Sequence, residues 1–160
     1  MVEFRTVPID AGVRAVRAWA EMDWPVTSEQ AAAMRNRLGW SESSEDARAF
    51  TTDFGLDSHD GSLGVDHGLL AEVAFRLSTL APRGTEGEVA ERSWAAFAAY
   101  EAAFTALWGR PKQHSHRGVK SDDWVLPNGA QVMLAGLDRM IKVEVESPAL
   151  REMLEATDDE

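Results

Sequence analysis

The chain has 160 residues with no cysteine, and 27 acids against 16 bases leave a formal charge of -11. This is the size of one ordinary domain, with an acidity that disfavours nucleic acid and anionic membrane surfaces. The missing cysteine excludes disulfides, thiolate nucleophiles and cysteine-ligated zinc together. No segment approaches the roughly 20 apolar residues that span a bilayer and residues 1–10 hold no apolar run of signal-peptide length, so a cytoplasmic protein is expected, without membrane contact or direct nucleic-acid binding.

From Asp10 to Met22, the residues Val13, Val16, Trp19 and Ala20 recur on one helical face while Arg14, Arg17 and Glu21 lie off it, with Asp10 as the expected N-cap. After Trp24-Pro25, Thr27 followed by Gln30 forms a capping-box signature for a second helix with the apolar stripe Ala31, Met34 and Leu38. Gly39 ends that helix, and Trp40 is placed to fold back on its last turn. Residues 41–46 read as a polar connection, and Ala47–Phe54 has the β-branched and aromatic content of a strand. Leu69–Ser78 is the clearest strand: Ala71, Val73, Phe75 and Leu77 alternate with Glu72, Ala74, Arg76 and Ser78. The Gly- and Asp-rich stretch Gly55–Gly68 is expected as the loop between these two strands.

Pro82 and Gly84 precede the longest helical pattern, Glu86–Trp108, with Ala90, Trp94, Phe97, Phe104 and Trp108 as its stripe. Gly109 and Pro111 end it. A basic loop follows, with Arg110, Lys112, Arg117 and Lys120 in a stretch free of acids. Asp123–Leu126, Ala130–Ala135 and Arg139–Glu146 then read as three short strands, joined by turns at Pro127-Asn128-Gly129 and Gly136-Leu137-Asp138, with Ile141, Val143 and Val145 facing inward. Ser147-Pro148 starts a final helix that Ala149, Leu150, Met153 and Leu154 would dock, and residues 156–160 read as a frayed acidic tail. The expectation is one α+β domain over residues 1–155, with helices on one face of an antiparallel sheet of about five strands, in the order ααββαβββα.

Phosphate-loop, dinucleotide-binding and nucleophile-elbow motifs are absent, so neither a cofactor nor a catalytic residue is expected and the chain is not read as an enzyme. Asp57, His59, Asp60, Asp66 and His67 bring metal-ligating chemistry into one short stretch, but in the spacing of no defined site, so no metal is expected there. His114 and His116 share a side only in an extended segment, and the surrounding bases would repel a cation. Glu101 lies within the apolar stripe of the long helix, where a carboxylate needs a partner or a raised pKa. Trp19, Trp94 and Trp108 fall on core faces. Trp24, Trp40 and Trp124 lie at element ends, where aromatic anchors of an interface also occur.

Asp23-Trp24-Pro25-Val26-Thr27, Arg37-Leu38-Gly39-Trp40, Leu107-Trp108-Gly109-Arg110-Pro111, and Trp124 followed by Val143-Glu144-Val145-Glu146-Ser147-Pro148 together resemble a family of small actinobacterial proteins of unassigned function. Members of that family look like immunity proteins of polymorphic toxin systems. The resemblance implies a cytoplasmic inhibitor that binds a cognate, basic toxin domain through an acidic surface. Residues 121–160 carry ten acids against three bases, which fits such a partner. The contact is expected at Asp57, His59, Asp60 and Asp66, with Asp138, Glu144 and Glu146 from the C-terminal sheet region. An acidic secretion chaperone binding an effector segment fits the same size and charge. A small enzyme would have to recruit Glu101 or the Asp/His loop.

Overall fold

The computed structural model describes residues 2–158, with side chains to residue 156. Its elements are α1 (Ile9–Ala20), α2 (Ser28–Arg37), β1 (Ser41–Glu42), β2 (Ala49–Thr51), β3 (Gly61–Asp66), β4 (Leu69–Arg76), α3 (Glu86–Trp108), β5 (Lys112–His116), β6 (Val119–Val125), β7 (Gln131–Gly136), β8 (Ile141–Glu146) and α4 (Pro148–Asp158). The α+β class is as expected, but the sheet has eight strands rather than five, in the order β1-β2-β3-β4-β8-β7-β6-β5 with every neighbour antiparallel. Helices α1 and α2 precede one four-stranded meander and α3 precedes the other, and pairing of the last strands, β4 with β8, joins the halves.

The strands missed by pattern reading are those with little intrinsic β preference. The segment expected as the loop Gly55–Gly68 contains β3, whose sequence GSLGVD buries Leu63 and pairs along its length with β4. Tertiary pairing supplies what composition withholds. The basic loop is the hairpin β5–β6, turned at Arg117 and Gly118, both with positive φ. Its edge strand β5 is exposed at every residue, so no hydrophobic period marks it.

Helix boundaries follow local chemistry more closely. Thr27 and Gln30 form the full capping box, and Gly39 at φ 80° lets the Trp40 N–H return to the Arg35 carbonyl at 3.0 Å. Ser147 Oγ accepts from the Leu150 N–H at 3.0 Å with Pro148 in the first helical position. The expected Asp10 cap is corrected: α1 begins at Ile9 after Pro8, and Asp10 sits in the first turn, where it favours the helix dipole. The tail expected to fray is helical as far as Asp158, and residues 159–160 lie outside the described region.

Helices α1 and α3 cover one sheet face over β7 and β8, and α2 lies against β4. Helix α3 buries Val89, Ser93, Phe97, Tyr100 and Phe104, a stripe turned from the one expected, with Trp94 and Trp108 at its margins. Tyr100 lies on the buried side of that stripe. Its fully buried hydroxyl donates to the Val7 carbonyl at 2.7 Å, and burial pushes the phenol's pKa up. The tryptophans at element ends are largely structural: Trp40 packs on Trp19, Phe50, Phe54 and Phe75, and Trp124 on Phe104 and Trp108.

A Cβ on Gly12 would collide with the Tyr100 hydroxyl and lie 2.7 Å from its ring carbons. Gly12→Ala is therefore expected to destabilise the fold by about 2 kcal/mol despite alanine's better helix propensity, since overpacking outweighs that gain. Urea unfolding measures this, and Tyr100→Phe in the same background should leave most of the loss in place.

Candidate functional site: the uncovered sheet face

Strand alternation sends Val143 and Val145 of β8 to the helices and Lys142, Glu144 and Glu146 to the other face. On β4, Val73 and Phe75 are buried while Glu72 and Arg76 share the uncovered face. Register then places Glu72 directly opposite Glu146, and Arg76 opposite Lys142. Acids collect at one end of these strands and bases at the other.

Glu72, Glu144 and Glu146 each offer a carboxylate oxygen within 4.8 Å of the others. Like charges directly opposed across an antiparallel pair are destabilising, and here they are partly shielded from water. Desolvation, then repulsion by Glu144, raises the pKa of Glu72. Desolvation, then Glu144, Glu72 and Asp123, raises that of Glu146. Relief is local, from Lys142 at 3.7 Å to Glu144. Toward the β5 edge, His114 Nε2 lies 3.0 Å from Asp123 Oδ2, while the other oxygen of Asp123 is buried without a hydrogen bond. Three carboxylates at this spacing have the donor chemistry for a hard cation, and a guanidinium or ammonium group meets the same demand.

A second carboxyl pair lies on the helix-covered side. Asp122 is fully buried, neither of its oxygens accepts a hydrogen bond from a ready donor, and its neighbour is Glu101 of α3. Two facing carboxyls bond only when one carries a proton. Burial first, then the Glu101 carboxyl, pushes Asp122 up to about 7, while Lys120 and Gln113 pull in the other direction. Gln113 Nε2 also reaches Glu101 Oε2 at 3.4 Å. Glu101 is thus half-buried, with Asp122 and Gln113 as its neighbours.

The residues expected to contact a partner are dispersed. Glu144 and Glu146 stand together on the uncovered face. Asp57 is a strut, accepting from Arg76 Nη2 at 3.1 Å and from the Leu80 N–H at 2.9 Å. Asp60 is buried and holds the Thr52 N–H at 2.7 Å and the Thr52 hydroxyl. That geometry gives Asp60 a structural task in place of the surface position expected for it. His59 occupies a positive-φ turn and Asp66 pairs with His67 at 2.9 Å, both exposed. Asp138 accepts from the Trp94 indole at 2.7 Å. Glu72, Asp122 and Asp123 were missed as site residues. Glu72 had a signal, as a carboxylate on the wetter face of the clearest strand, but its partner is fixed by β4–β8 pairing across some seventy residues of chain.

No curated protein matches the chain, and no solved structure does. The matching family model carries no assigned activity, and a likeness to immunity proteins is no part of its description. Because that model spans residues 10–147, most of the chain, the protein belongs to the DUF6301 family of unknown function.

Proposed function

We propose that the chain is an immunity-type protein, a stoichiometric cytoplasmic inhibitor that seats a basic toxin domain on the uncovered sheet face. The observation that supports this reading most directly is the opposed Glu72–Glu146 pair with Glu144 beside it. The fold tolerates repulsion there that glutamines would remove, and a partner's arginine or lysine turns that repulsion into attraction. The acids stand on paired strands rather than on a loop, so they are held in place before the partner arrives. Among the described residues, no helix is long and apolar enough to cross a membrane. The role assigned to this surface is binding, not catalysis, and it uses no cofactor.

The test is coexpression with the C-terminal domain of a secreted protein encoded beside this chain. The parent should restore growth and bind one to one, more weakly at about 300 mM than at about 50 mM salt as screening sets in. Changing Glu72, Glu144 and Glu146 together to glutamine should raise stability at neutral pH by about 1 kcal/mol, a figure discounted for solvent screening. The same change should weaken binding by about tenfold or more. Full protection by that variant, or a neighbour that is harmless or does not bind, would overturn the reading.

A further inference from the structure

At the end of the sheet where β4 begins and β8 ends, a cleft of about 570 Å³ opens between the Trp24-Pro25 segment, the β3–β4 turn and α4. Its walls include Trp24, Pro25, Leu69, Leu70, Leu150 and Met153, and Leu69 keeps 40% of its surface exposed. The walls are anchored. The Leu70 N–H donates to the Val26 carbonyl at 2.7 Å, the Ser28 N–H to the Gly68 carbonyl at 2.9 Å, and Arg151 Nε ties α4 to the Gly129 carbonyl at 2.9 Å. A preformed apolar recess of this size takes one or two bulky side chains without first having to order itself.

Charge selects the occupant. Asp66 and Glu152 line the recess, with His67 as the one basic side chain among its lining residues. Two more lining residues, Ala71 and Ser147, are the chain neighbours of Glu72 and Glu146, so the cleft opens at the strand ends that carry these two acids. Resting on the immunity reading, we infer that the cleft receives an aromatic or aliphatic anchor from the same basic partner, on a segment whose lysines or arginines lie along the Glu72–Glu144–Glu146 face. Such a division matches interfaces in which a buried apolar anchor slows dissociation while charges speed encounter.

The experiment is an NMR titration of the full chain with three synthetic peptides: Lys-Lys-Phe-Leu-Lys-Lys, its Lys-Lys-Ser-Ser-Lys-Lys counterpart, and Glu-Glu-Phe-Leu-Glu-Glu, all with blocked ends. The first should shift the Trp24 indole and the Leu69 and Leu150 methyls, and bind about tenfold more tightly than the second. The second should shift only signals of the acidic face, and the third neither region. Leu69→Lys, at an exposed position, should erase the cleft shifts and keep those of the face. Cleft shifts that are absent, equal for the acidic peptide, or produced by raising the protein concentration alone would overturn this inference, the last by identifying a second copy as the occupant. Absence of face shifts with both lysine peptides would instead count against the immunity reading.

Discussion

Replacing Asp122 with asparagine is expected to change stability little near about pH 4.5 and to raise it by roughly 2–4 kcal/mol near about pH 8.5. The sign follows from the direction of the shift. The Asp122 carboxyl is pushed up to about 7 in the folded chain by burial and by Glu101, from the ordinary value of 3.8. Between those values the folded state binds the proton that the unfolded chain has released, so the contribution is complete below about 4 and is lost as pH rises through about 7. Above that, a buried carboxylate faces another acid, with only Gln113 and Lys120 to offset the repulsion. Asparagine keeps the shape and supplies its own donor. Chemical denaturation of the parent and of Asp122→Asn across this pH range measures the difference, and parallel curves for the two proteins would show that the pair shares no proton. Glu101→Gln should produce the same divergence from the other side, because either amide can donate where neither carboxylate can.

Asp60→Ala is expected to cost about 3 kcal/mol and to loosen β2 and β3 before the rest of the sheet. The carboxylate is 3% exposed and accepts from both the backbone N–H and the hydroxyl of Thr52, so its removal leaves two buried donors unsatisfied. Hydrogen exchange resolved by residue would place the loss at Thr52 and its neighbours, and thermal unfolding would give its size. Asp66→Ala, at the exposed end of β3, should leave stability nearly unchanged. A binding defect seen with Asp60→Ala is therefore no evidence of contact unless the variant is shown to be folded. An acid that looks available in the sequence is committed to the fold.

The two halves of the chain differed in how legible they were. Periodicity placed the helices and capping chemistry the starts of α2 and α4, because a helix is specified by contacts three and four residues away. Strands β4, β7 and β8 were visible for the same kind of reason: each carries buried side chains at alternate positions. Strands β1, β3 and β5 were not, since their residues are exposed, glycine-rich or too few to make a pattern, and partners elsewhere in the chain hold them. Trp40 shows the limit of reading position alone: at a helix end it resembled an interface anchor, yet it is 3% exposed and packs on four other rings.

The α+β class, the bounds of α2, the alternation that turns Glu72, Glu144 and Glu146 away from the core, and the acidity of the last forty residues are all written in the sequence. Each of those depends on composition or on neighbours within a few positions. Which acids meet is set by long-range packing. The β4–β8 pairing sets Glu72 against Glu146, and the packing of α3 across β6 sets Glu101 beside Asp122. Register between distant strands is a global property, selected by the burial of Val73, Phe75, Val143 and Val145 on the opposite face, and the charges are carried to their positions by that choice.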